Sequence, residues 1–406
     1  MGKIARRRRL APRVEGMEDR RLLSGYTPAQ VRAAYGFDGV AWDGSGQTIA
    51  IVASYHNPNL LSDLEVFDRA FGLPTADVTV VNLAGDSTDA TWAAESAMDV
   101  QWAHALAPGA SIVLVEARSD SGDDVLAAID VARNIPDVTV VSMSFGFAES
   151  SGQHVYDPRF TTPPGHVGVT FVAASGDHGA AGGAMYPASS PNVVGVGGTA
   201  VTLGPGGGVL SESLWSGSAS GPARFAARPG YQAAFQPGAR KTTPDVAFLG
   251  DPATGVAVYH TPPGASEGGW RTSGGTSLGA PAWAAIVAMV NQGRALEGKG
   301  SLDGPSQTLP ALYALAGTAA FRGVTNGVSP TAAGLGVPDV EELAPALARD
   351  PAPEPSATPN GRAPTRRRTP PPRRPATFPR VVRTPPRLGP GRSLRPPVGA
   401  ARVDFR

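Results

Sequence analysis

The chain has 406 residues, 41% of them hydrophobic, and no cysteine. That length and composition suit a globular protein with one large core or two small ones, and the missing thiols exclude disulfides, cysteine nucleophiles and thiolate metal sites. The net charge of +1 hides a segregation: residues 1–24 hold eight Lys/Arg against three acids, residues 361–406 hold thirteen Arg against Asp404 alone, and the span between carries −16.

In chain order, residues 1–24 open on a basic cluster without the apolar h-region of a secretory signal. Their "EGMEDRRLLS" is similar to the short "ExxExRxLLS" arm of some exported bacterial proteins, so an extracellular or cell-envelope location is expected. Continuous apolar, β-branched runs then follow at 47–54, 110–117, 138–146, 167–176 and 192–198, as expected of strands buried on both faces. Segments 61–71, 91–106, 123–134 and 277–293 have helical spacing. The alternation predicts an α/β fold with a central parallel sheet flanked by helices. Ala280–Val290, the longest uncharged apolar run, is about half of a membrane span, so no transmembrane segment is predicted.

Beyond residue 348 the chain is so rich in Pro and Arg that it cannot build a core, and residues 349–406 are read as a disordered basic tail. Its charge suits contact with anionic surfaces. Specific nucleic-acid binding is not expected, because Phe378 and Phe405 are the tail's only stacking aromatics.

Two stretches carry chemistry. In "TWAAESAMDVQWAHALAPGA", residues 91–110, Glu95 and Asp99 interrupt an otherwise apolar helix. At about 100° per residue, Asp99 falls ~40° from Glu95, on the side of Met98, Trp102 and Leu106, whereas His104 falls about 180° away. Two readings stay open: a buried pair sharing a proton, or a helix edge where both acids are hydrated. In "WRTSGGTSLGAPAWAAIVAMVNQ", residues 270–292, glycines bend the backbone just before a helix, and Ser277 stands at its start. Ser277 reads either as a nucleophile whose own N–H can support an oxyanion, or as an N-cap. Pro281 is close enough to the helix start to cost little. The six histidines, His56, His104, His154, His166, His178 and His260, include none in an "HGTH"-like helix start, so the base for Ser277 need not be a histidine.

"ESAMDVQWAHALAPGASI", "VVSMSFG", "AASGDHGA", "YPASSPNVVGVGGTAVTL", "PDVAFLGDPATGVAVY" and "GGTSLGAP", taken together, resemble the sedolisin family of serine-carboxyl peptidases over roughly Tyr26 to Leu347. The resemblance implies a subtilisin-like fold over 25–348 and hydrolysis of peptide bonds, as an endopeptidase active in acid, on peptide or protein substrates. It places the nucleophile on Ser277, the general base on Glu95, the acid that orients it on Asp99 and the oxyanion-supporting carboxyl on Asp177. An inactive homologue that binds peptides or cell-surface polymers is the alternative.

The sequence departs from the family pattern in four places. Gly323 stands where the first calcium-ligand aspartate belongs and the later "GWD" is missing, so no calcium site and no other cofactor are expected. "SGSASGPARF" replaces an "SGGG" run after Trp215, and His178 replaces a small residue beside Asp177. The catalytic region is expected to begin at "YTPAQVRAAYGF", and the family's large N-terminal prodomain is not expected.

Overall fold

The computed structural model describes residues 25–324 and 332–349; the arm 1–24 and, but for its first residue, the tail lie outside them. Eight strands form one sheet: β1 (Thr48–Ser54), β2 (Val78–Asn82), β3 (Ser111–Ala117), β4 (Val138–Met143), β5 (Thr170–Ala174), β6 (Val193–Leu203), β7 (Val209–Leu214) and β8 (Val246–Leu249). Their order is β8-β6-β5-β4-β1-β3-β2, all parallel, and β7 adds antiparallel to β6. The helices that matter here are α1 (Pro28–Tyr35), α2 (Leu60–Phe71), α3 (Ala90–Leu106), α4 (Gly122–Arg133) and α5 (Thr276–Leu296). A hairpin, β9 (Val256–His260) with β10 (Gly269–Ser273), lies outside the main sheet. Among the described residues no helix is long and apolar enough to cross a membrane.

Side chains alternate across each strand, so the sheet feeds two cores. Ile49 and Ile51 of β1 and Ile112 and Leu114 of β3 join α3 and α5 in one. Ala50, Val52, Val113 and Val115 join α4 in the other. These are the two helix layers that the doubly apolar strands predict.

The crossovers contain one exception to the usual rule. From β2 to β3 the chain moves one place along the sheet with α3 on the first face; from β3 to β4 it moves the same way with α4 on the opposite face. Two crossovers in one direction by opposite faces have opposite hands, so one of them is left-handed, against the strong right-handed preference. The consequence is that α3 shares a face with α5 and packs directly on it.

The strand order also reverses at β1, with β3 and β2 on one side and β4, β5, β6 and β8 on the other. The carboxyl ends of strands flanking such a switch point open a crevice. Ser144 directly follows β4, and Ser175 to Asp177 follow β5, so both segments emerge at that end.

Candidate active site

The hydrated-edge reading of α3 does not hold. Glu95 is 4% exposed and Asp99 0%, and the helix is buried almost continuously from Ala93 to Leu106. Asp89 caps it by accepting from the N–H groups of Thr91 and Trp92. His104 does point away from the acids: its Nε2 lies 2.9 Å from the Pro74 carbonyl and 3.5 Å from Asp68.

The N-cap reading of Ser277 fails too. Gly275 is the cap residue and Ser277 the second residue of α5, 1% exposed, with its Oγ in no hydrogen bond. Its backbone N–H, in the first turn, has no acceptor within the helix. Two glycines make this entry possible. A Cβ on Gly274 would sit 2.7 Å from the Gly250 carbonyl, and Gly275 has φ +97°, where a Cβ would meet Asp177 Oδ2 at 2.6 Å.

Asp177 is tied to that same turn. Its Oδ1 accepts from the Thr276 N–H at 2.8 Å and the Thr276 hydroxyl at 2.7 Å, and Thr276 Oγ1 in turn accepts from Gly176 N at 3.0 Å. With Oδ1 committed as an acceptor, Oδ2 over Gly275 is the atom left to carry a proton. Burial raises the Asp177 carboxyl above its ordinary range, and the Thr276 donors and exposed His178 offset only part of the rise.

Sequence reading missed the residue that ties α3 to α5. Ser144 Oγ stands 2.8 Å from Asp99 Oδ1 and 3.1 Å from the Ser277 carbonyl. That carbonyl is available because Pro281, four residues on, has no N–H to give it. Ser144 has one hydroxyl proton, and a carbonyl can only accept. Both contacts are therefore satisfied together when Asp99 is the protonated partner, donating to Ser144 while Ser144 donates to Ser277. Burial, which holds Asp99 well above the usual carboxylate range, favours the same state, and the Ser144 contact opposes it only in part. The available signal was a small polar residue in "VVSMSFG" at a strand end and a proline four residues after the serine.

Glu95 lies between these groups. Burial and then the neighbouring Asp99 push its carboxyl well above the ordinary range; the Ser277 hydroxyl offsets part of this, and Asp177 adds to the rise. Both Glu95 oxygens, Asp99 Oδ2 and Ser277 Oγ are buried yet make no hydrogen bond to another group of the protein. Each such atom ordinarily costs about 1–3 kcal/mol. Ser277, Glu95, Asp99 and Asp177 thus come together from two helices and a strand end, and Glu95 also lines a recess open to solvent.

The residues at the expected calcium position do not fit a calcium ion. Gly323 offers no side chain, and beside it the Arg322 guanidinium, a cation, stands 3.7 Å from Glu212. Residues 325–331 of that segment lie outside the described ones. Among the described residues no group of three or more His, Asp or Glu stands together to hold a metal.

Comparison with known proteins gives the family and the fold. Residues 87–302 match the model of the subtilase family. Kumamolisin of Bacillus sp. (strain MN-32) is 32% identical over 321 residues, 70% of this chain and 56% of its own length. Sedolisin of Pseudomonas sp. (strain 101) is 26% identical over 300 residues, 65% of this chain and 50% of its own. The chain therefore spans about half the length of the curated relatives it matches, at 56% and 50%. A solved Pseudomonas sedolisin, a serine-carboxyl proteinase complexed with two molecules of pseudo-iodotyrostatin, shares the fold with a TM-score of 0.69 at 22% identity, over 80% of this chain and 98% of that one. The chain belongs to the subtilase family, in its sedolisin branch.

The raised carboxyls fix a sign for stability. A carboxyl whose folded pKa lies above its unfolded value, about 4, contributes fully below that value and loses the contribution as pH rises through the folded pKa. At neutral pH, Glu95 and Asp99 therefore destabilise the fold. Asp99→Asn and Glu95→Gln should each raise the melting temperature at pH 7 and leave it nearly unchanged at pH 3, as followed by calorimetry. Equal shifts at both pH values would show that the acids are not held protonated by burial.

Proposed function

We propose that the chain is a serine-carboxyl peptidase of the endopeptidase type, acting on peptide or protein substrates in acid. The observation that supports this best is the buried set of Ser277, Glu95 and Asp99, in which Ser277 Oγ, both Glu95 oxygens and Asp99 Oδ2 make no hydrogen bond, beside an open recess. Stable cores do not ordinarily keep such atoms.

In this reading Ser277 Oγ attacks the scissile carbonyl as Glu95 takes its proton, and Glu95 then returns that proton to the leaving amine. Asp99, kept neutral by its bond to Ser144, places no second negative charge beside the Glu95 carboxylate. Asp177, protonated on Oδ2, donates to the oxyanion together with the Ser277 N–H. Carboxyl groups of ordinary pKa about 4 take the place of an imidazole near 6.5. An acidic extracellular or cell-envelope setting suits that chemistry.

Ser277→Ala should abolish turnover and change the melting temperature little, since only one unbonded hydroxyl is lost. Digestion of a mixed peptide library, read by mass spectrometry, checks this, and retained cleavage in the variant would remove Ser277 as nucleophile.

The pH dependence should be bell-shaped, with both limbs shifted above the ordinary carboxyl value of about 4, because burial raises Glu95 and Asp177 alike. On the acid side the Glu95–Asp99 pair takes up its second proton and Glu95 can no longer accept one. On the alkaline side Asp177 ionises and stops donating. Asp177→Asn, a donor at every pH, should flatten the alkaline limb at some cost in rate; an unchanged limb would assign it to another group.

We further propose that neither folding nor activity depends on calcium, because Gly323 and Arg322 supply no ligand set. Treatment with a calcium chelator should leave melting temperature and cleavage rate where they were. A large drop in either would place a metal elsewhere in the chain.

A further inference from the structure

The hairpin beside Glu95 has two unlike faces. Antiparallel pairing sets Val258 opposite Arg271 and His260 opposite Gly269, so these alternate residues share one face. The other face carries Tyr259 and Trp270, with ring centroids 5.4 Å apart, and Trp270 packs on Phe67 and Phe71 of α2. That packing fixes the hairpin. The first face then opens on a recess of about 380 Å³ lined by Glu95, Val258, His260, Arg271 and, at the start of α3, Ala90 and Thr91.

Arg271 is exposed within this recess, and among the described residues no carboxylate stands within ion-pair distance of it. Arg32, Arg133 and Arg322, by contrast, each have an acidic partner. The Arg271 guanidinium stands without an acidic partner among the described residues although residues 25–360 carry a net charge of −16. Glu95 is the acid that lines the same recess, and burial disfavours its charged form. Asp63 is engaged with the N–H and hydroxyl of Thr261, at 2.8 and 2.6 Å. His260 is buried beside it, and burial together with Arg271 lowers its pKa, which disfavours its charged form.

We propose that this recess is a substrate subsite for a carboxylate next to the scissile bond, from an Asp or Glu side chain or a free C-terminus, and that Arg271 is the residue that reads it. The inference rests on the peptidase reading above and adds a substrate class to it. A guanidinium stays charged throughout the acid range and offers paired N–H donors that match a carboxylate. The apolar walls of Val258, Ala90 and Ala94 strengthen that contact relative to open water. A Lys side chain would meet repulsion there, and Gln would lose the charge-assisted bond.

The test uses two readouts. Ser277→Ala protein is titrated with fluorescent peptides in which one position is Glu, Gln or Lys in turn, each with a free or an amidated C-terminus, and binding is followed by anisotropy at pH 5. Carboxylate-bearing peptides should bind about tenfold tighter than neutral ones, the preference should vanish on adding Arg271→Ala, and Arg271→Glu should turn it toward Lys. Loss of the preference on amidation alone would make the C-terminus its source, and survival would make it the side chain. Equal binding of all peptides, or a preference that survives Arg271→Ala, overturns the proposal. Library cleavage by the otherwise unmodified protein and by Arg271→Ala then separates the two claims. Cleavage without acidic enrichment defeats the subsite alone, whereas carboxylate-selective binding with no cleavage at all defeats the peptidase reading and leaves the site standing.

Discussion

Burial of two carboxyl groups on one helix is the constraint to which the surrounding structure answers. A carboxylate transferred into an apolar interior loses hydration that a single hydroxyl contact cannot replace, and two of them side by side also repel. Retaining protons is the least costly response, and the arrangement around Asp99 makes that response specific. Pro281 withholds an N–H from the Ser277 carbonyl, the carbonyl takes the Ser144 hydroxyl, and Ser144 is left to accept from Asp99. The missing backbone bond in α5 thereby selects the protonation state of a side chain on α3. Glu95, with no such partner, remains the member of the pair free to exchange a proton.

The topology is part of the same arrangement. Had both crossovers around β3 kept the usual hand, α3 would face α4 instead of α5, and Glu95 would lie across the sheet from Ser277. Reaching the nucleophile requires one left-handed connection, and the packing of α3 on α5 within the core that holds Met98, Trp102 and Leu106 offsets it. The turn into α5 serves two groups at once. Gly275 holds a left-handed φ and leaves room for Asp177 Oδ2, while Thr276 fixes Asp177 Oδ1 through both its N–H and its hydroxyl. One turn therefore orients the nucleophile and the carboxyl beside it.

Much of this was legible in the sequence, for identifiable reasons. Strands buried on both faces leave continuous β-branched runs, so β1, β3, β4, β5 and β6 could be read directly. The predicted run 138–146 outlasted β4, which ends at Met143, because Ser144 to Gly146 remain buried without pairing in the ladder. Strand β2 was missed since an edge strand, here only half-buried, loses the apolar signal, and β7 and the β9–β10 hairpin were missed because antiparallel pairing depends on distant partners. Glu95 and Asp99 stood out because their types contradict an apolar helix and Ser277 because it follows a glycine turn, whereas Asp177 came only with the family resemblance. Ser144 and Arg271 did not stand out. A serine at a strand end and an arginine in a short strand are ordinary in sequence, and only the fold sets one against Asp99 and the other beside Glu95.

The histidines bear on why a carboxyl occupies the position of the base. His56 stands 2.7 Å from buried Glu116, His104 is held by Pro74 and Asp68, and His166 has ring contacts to the Val167 and Ile135 carbonyls. His260 alone shares the recess with Glu95, and it is poorly suited to take a proton there. Its ring is buried, Arg271 disfavours its charged form, and Asp63, 4.0 Å away and already accepting from Thr261, restores little. A carboxyl faces the opposite balance, because protonation removes its charge and burial promotes it. In this recess the same low polarity that weakens a histidine base prepares a carboxyl to hold a proton, and the cation that lowers His260 gives an approaching carboxylate its partner.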